Sequence, residues 1–199
     1  MNIDKAYEWY ATQSAIEQPG DNVSQSRDVF QARLAGMLQA LLRYDPKGER
    51  IALISAVVGE IGNNCFDHNL GKWKDAPGCW FQYQLADQTV TVIIADRGQG
   101  ILSSLKRVEP SLNDDQTAIQ MAFEKRISGR SPEKRGNGLK FVCAAINNHS
   151  SRGLAFRSGK GEVFFGGLTS VLRETMNPYA MKNRGGTFSL IQWKLSNES

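Results

Sequence analysis

With 199 residues, 41% hydrophobic and 22% charged, the chain has the make-up of a globular domain with a good core, alone or with a helical extension. No apolar run nears the roughly 20 residues that span a bilayer, and the polar, acidic start MNIDKAYEWYATQ is unlike an export signal, so neither a membrane span nor export is expected. A net charge of +4 is too small to argue for nucleic acid, and Cys65, Cys79 and Cys143 form no CxxC pair, which leaves no zinc site or disulfide framework and fits a reducing cytoplasm.

Residues 4–18 read as a short helix carrying Tyr7, Trp9 and Tyr10, broken by PGDN at 19–22. A stronger helix is expected over 26–43, where Phe30, Leu34, Met37, Leu38, Leu41 and Leu42 recur at helical spacing. DPKGE ends it, and a third helix over 50–69 buries Ile54, Val57, Val58, Ile61 and Cys65. The period then changes to two. CWFQYQL (79–85) and TVTVIIAD (89–96) read as strands joined by a tight turn at Asp87–Gln88. After DRGQG a loop leads to a helix around 114–126, a basic loop KRISGRSPEKR and a helix over 138–149. LAFRS (154–158) and EVFFG (162–166) form a second hairpin across GKG. Residues 167–184 read as irregular, and GTFSLIQWKL (186–195) as the last strand. The expected fold is α+β, a two-layer sandwich with a mixed, mostly antiparallel sheet and helices on one face.

Four stretches carry chemistry. EIGNNCFDHN ends the third helix with Glu60 and Asn64 at i, i+4, on one face, and His68 continues the row. A carboxylate there can take a proton, and a carboxamide oxygen can bind a hard cation, though a solvated helix end would look the same. DRGQG follows a strand directly, so Asp96 stands at the sheet edge with Gly98 and Gly100 beyond it. Such a carboxylate can accept from an exocyclic amine while glycines let a flat ring approach, though a strand ending in a Gly-rich turn is also common. Gly98-x-Gly100-x-x-Ser103 approaches a dinucleotide fingerprint, but the third glycine is missing and no parallel βαβ unit surrounds it. In KRGNGLKFV, Gly136 and Gly138 open a helix beside Lys134 and Arg135, a junction suited to phosphate. RGGTF starts the last strand with Thr187, whose hydroxyl could reach a ligand.

In this order the four stretches resemble the GHKL ATPase superfamily, which includes the ATP-binding domains of sensor histidine kinases, DNA gyrase, MutL and the anti-sigma-factor serine kinases. The resemblance covers roughly residues 50–195. It implies a domain at 49–199 after an N-terminal helical extension at 1–48, with a mobile lid at about 101–135 that orders over the nucleotide. It implies ATP and Mg²⁺ as ligands. Glu60 would be the general base and Asn64 the Mg²⁺ ligand. Asp96 would hold the adenine amine, with a water shared by Thr187, and Gly98 and Gly100 would shape the adenine pocket. Gly136, Gly138 and Leu139 would offer backbone N–H groups to the phosphates. Histidine kinases often carry a Lys or Arg where this chain has Asp67, so the cation would come from Lys134, Arg135 or Lys140.

The two histidines, His68 and His149, lie outside the N-terminal helices, so a phosphoacceptor histidine of the usual kind is not expected. The resemblance leaves two readings: an ATPase or kinase acting on a separate protein, or a nucleotide-gated binding switch. Retention of Glu60 favours the first. LAFRSGKGEVFFGG also resembles standalone bacterial ATP-binding proteins that accompany a STAS-like partner. A protein partner of that kind, a regulator or a second copy of the chain is expected; nucleic acid and membrane are not.

Overall fold

The computed structural model describes residues 1–12, 20–45, 47–69, 72–73, 75–124, 137–179 and 185–195. Along the chain these form α1 (Ile3–Ala11), β1 (Val23–Ser24), α2 (Arg27–Leu42), α3 (Glu49–Asp67), β2 (Cys79–Ala86), β3 (Thr89–Asp96), α4 (Gly100–Leu105) and α5 (Asp115–Glu124). There follow α6 (Gly138–Ile146), β4 (Arg152–Ser158), β5 (Gly161–Gly166), α7 (Thr169–Met176) and β6 (Thr187–Lys194). The strands make one sheet in the order β1-β2-β3-β6-β4-β5. Every pairing among the described strands is antiparallel, so the sheet is not mixed. Among the described residues no helix is long and apolar enough to cross a membrane.

Local chemistry sets the boundaries. Asn2 caps α1 by accepting from Lys5 N at 2.9 Å, and Ser26 caps α2. Asp45 accepts from the N–H groups of Arg50 and Ile51 at 2.8 and 3.3 Å, which serves the start of α3. Asp87 and Gln88 both adopt positive φ, 48° and 56°, as a two-residue hairpin turn demands. That turn fixes the register Ala86↔Thr89 through Cys79↔Asp96.

The sheet is covered on both faces. On one face α2, α3, α5 and α6 pack over Phe81, Val92, Ile94, Phe156, Ile191 and Trp193. On the other, Tyr7, Trp9 and Tyr10 of α1 and Leu172 and Met176 of α7 pack over Trp80, Ile93, Ala95, Ala155, Phe188 and Leu190. The expectation of helices on one face therefore holds for four helices and is corrected for α1 and α7. The physical reason lies in β3: from Val92 to Asp96 every residue is buried, as in a strand with no solvent side. The stretch expected as irregular, 167–184, contains α7 up to Met176, and residues 180–184 lie outside the described ones. Part of the stretch expected as a lid is helical, 101–105 and 115–124. Residues 101–124 lie largely in α4 and α5, with Leu105, Leu112, Ile119 and Phe123 buried, and 125–136 lie outside the described residues. The N-terminal 48 residues enter both cores through α1 and α2 and add β1 to the sheet.

α2 and α3 meet at Gly62. A Cβ there would lie 2.0 Å from Phe30 Cζ, and the Phe30 ring stands edge-on to Phe81 at 5.3 Å. Gly62→Ala should cost about 1–3 kcal/mol by overpacking, read from urea denaturation. The same change should cost less in a Phe30→Leu background, since the shortened side chain yields the space. Equal costs in the two backgrounds would contradict this packing.

Candidate functional site

The site grows from the end of β3. The register places Asp96 opposite Cys79 on β2 and beside the start of β6, where Thr187 follows on from the pair Ala95↔Phe188. Asp96 is 2% exposed. Its Oδ1 accepts from Asn69 Nδ2 at 2.9 Å and from Gly98 N at 2.8 Å. Its Oδ2 accepts from Thr187 N at 3.1 Å and from the Thr187 hydroxyl. The hydroxyl reaches the carboxylate directly. Burial pushes the Asp96 carboxyl above its ordinary 3.8, and the bonds from Thr187, Gly98 and Asn69 oppose that rise.

Asn69 is the residue that sequence reasoning missed here. It is 3% exposed, donates to Cys65 O at 2.9 Å as well as to Asp96, and accepts from Gln99 N at 3.0 Å. Gly98 exists for its sake: a Cβ at 98 would stand 2.0 Å from Asn69 Cγ. Gly98, expected to shape an adenine pocket, makes room for this amide. Gly100 has φ +79° and lies against Ser158 Oγ, which accepts from Ile101 N at 2.9 Å and donates to Gly186 O at 3.0 Å. Its positive φ is the conformation that favours glycine.

Beside this carboxylate opens a small cleft, about 40 Å³ in volume, between α3, α4 and α6. Asn64, Asp96, Gly100, Leu139 and Thr187 line it, as do Ile61, Ile101 and Phe156, which give it apolar walls. His68 and Ser104, not assigned a role from sequence, also face it, with Ser104 Oγ 3.0 Å from His68 Nδ1. Cys65 lines it too, its thiol held well above its usual range by a hydrogen bond to Cys79 and by burial. Glu60 is exposed and does not line the cleft. A Cβ on Gly138 would lie 2.3 Å from Glu60 Oε2, so the carboxylate sits at the start of α6, whose N-cap Asn137 makes no side-chain cap. Among the described residues Glu60 and Asn64 make no side-chain hydrogen bond.

Other expected residues lie elsewhere. Lys140 is exposed on α6, and Gly136, Arg135 and Lys134 lie outside the described residues. Asp67 is ion-paired to Arg27 of α2 and does not line the cleft. Among the described residues no group of three or more His, Cys, Asp or Glu side chains could hold a metal. A cation at Asn64 would therefore take most of its ligands from phosphate oxygens and water, as Mg²⁺ commonly does.

Compared with known proteins, the chain matches no protein-family model and no curated protein sequence.

The raised Asp96 carboxyl has a signed consequence. A folded-state value above the unfolded one means that the folded chain holds the proton more tightly. Wild-type stability, taken relative to Asp96→Asn, should be greatest below pH 3.8, fall as the pH climbs through the raised value, and stay level above it. Denaturant titrations at a series of pH values check this; a difference that rises with pH would contradict it.

Proposed function

We propose that the chain binds ATP with Mg²⁺ in this cleft and transfers or hydrolyses its terminal phosphate, with a separate protein as the acceptor in the kinase case. One observation carries the reading. A buried carboxylate, Asp96, and the Asn64 side chain line one cleft with apolar walls, and Glu60 lies beside Gly138, next to the lining residue Leu139. The order of residue types around the cleft supports the resemblance to the GHKL ATPases.

In this reading Asp96 accepts from the exocyclic amine of adenine. Its oxygens already take four protein donors, so the amine displaces one of them. The Thr187 hydroxyl is the donor that can turn away, because it rotates and its neighbours are backbone or packed amides. Ile61, Ile101, Leu139 and Phe156 cover the faces of the ring and exclude water. At the other end, the first N–H groups of α6 receive no side-chain cap from Asn137 and would meet phosphate oxygens. Asn64 would hold Mg²⁺, which would neutralise charge developing on the phosphates. Glu60 takes the proton of the attacking water or hydroxyl. His68 pairs with Ser104 inside the cleft, which leaves it no part as a phosphate acceptor on a separate helix.

Calorimetric titration tests this. Wild type should bind Mg²⁺-ATP. Asp96→Asn should weaken binding by about tenfold or more, since it loses a hydrogen bond to a charged acceptor. Glu60→Gln should bind within a few-fold of wild type and lose about 10²–10⁴ in turnover. No binding by wild type at millimolar nucleotide, or equal binding by Asp96→Asn, would sink the reading. Binding without any turnover, equal in wild type and Glu60→Gln, would favour the nucleotide-gated switch instead.

A further inference from the structure

Arg97 follows the cleft carboxylate in sequence, yet its side chain leaves the cleft for the α1 side of the sheet. It has no exposed surface. Its Nε donates to Asp75 Oδ1 at 2.8 Å, and its Nη2 donates to Asp75 Oδ2, a two-pronged pair. Its Nη1 donates to the carbonyl oxygens of Trp9 and, at 3.0 Å, Thr12. These carbonyls belong to the C-terminal end of α1, where the helix supplies no N–H partners and its dipole is negative. The Trp9 ring lies 5.7 Å from the guanidinium carbon. One cation thus joins α1, the segment before β2, and the backbone between Asp96 and Gly98.

That backbone decides whether the site is assembled. Gly98 N reaches Asp96 Oδ1 only if the peptide units on either side of Arg97 hold their orientation. They are clamped from the opposite side as well. Gly186, with φ +94°, lies so close that a Cβ there would meet Asp96 O at 2.2 Å and Arg97 Cα at 3.2 Å. Displacing the guanidinium would therefore move the very segment that carries one of the donors to Asp96, Gly98 N.

We propose that Arg97 is a positioning residue for the cleft: α1, docked on its guanidinium, holds the Asp96–Gly98 segment in its binding geometry, so that the N-terminal helix and the cleft are energetically coupled. A residue that merely secured α1 would leave the cleft unchanged when released. A coupled one would not, and the coupling would run both ways: a ligand that needs the assembled carboxylate would tighten α1. The consequence for nucleotide rests on the ATP reading above; the coupling itself does not.

Asp75→Asn removes the charge opposite Arg97 and lies outside the cleft. Amide hydrogen exchange in the whole chain, without ligand, reads two internal probes, because Gly98 N and Thr187 N each donate to one oxygen of Asp96. Both should exchange about tenfold faster in Asp75→Asn, while Val92 and Ile94 in the middle of β3 stay unchanged. Mg²⁺-ATP titrated into the same variant should show a higher Kd than wild type. Faster exchange confined to α1, with Gly98 and Thr187 as in wild type, would overturn the inference. If Asp75→Asn does not fold, Trp9→Leu removes the ring beside the guanidinium and leaves the ion pair, and the same two amides decide. Wild type that fails to bind ATP, with Gly98 and Thr187 still responding, would refute the ATP reading and uphold the coupling.

Discussion

The fold around the cleft depends on how one buried carboxylate is satisfied. Removing an ionised carboxyl from water is costly unless hydrogen bonds replace the lost hydration. Asp96 receives four, from Asn69 just past the end of α3, from Gly98 after β3, and from Thr187 twice at the start of β6. Three chain segments that are remote in sequence thus have to arrive together. The glycines near them follow from that demand. Gly98 leaves space for Asn69, and Gly186 lets the start of β6 press against the backbone of Asp96 and Arg97. A group held this tightly by donors suits a role in which an incoming donor competes for one of its oxygens.

The second constraint is a sheet with no solvent face. β3 lies near the middle of the strand order and is flanked by helices on both sides. α3 and α6 on one face supply the cleft; α1 on the other supplies the acceptors that Arg97 requires. A buried guanidinium with an unmet donor would be as unfavourable as an unmet carboxylate. Neighbours in sequence, Asp96 and Arg97 therefore anchor opposite sides of the sheet, and the peptide between them is set by both.

Much of this was legible in the sequence. The stripe Ile54, Val57, Val58, Ile61 and Cys65 is buried as its spacing implies, and the alternation in β2 and β3 located the first hairpin and its turn. The run Val92-Ile93-Ile94-Ala95 carried the signal for burial on both faces, because a one-sided strand would have alternated there. α7 was missed since only Leu172 and Met176 of its eight residues are buried, too few to mark a period. α4 has six residues and follows a glycine, which reads as loop. Asn69 and Arg97 could not be assigned locally at all. The carboxylates they meet, Asp96 and Asp75, lie 27 and 22 residues away, and an amide or a cation next to a glycine turn looks solvated until those partners are placed. Asn64, Asp96 and Thr187, from α3, β3 and β6, line one cleft; the residues of the basic loop fall outside the described residues.

The most direct measurement of the central claim is a comparison of ATP with GTP, each with Mg²⁺, by calorimetry on the wild-type chain. Adenine offers an amine hydrogen to Asp96 where guanine offers a carbonyl oxygen, which would face the carboxylate without a proton between them. The account predicts that ATP binds at least about tenfold more tightly, the cost of leaving a buried acceptor opposed by another acceptor. Equal affinities, or a preference for GTP, would contradict the role assigned to Asp96 and with it the placement of the base.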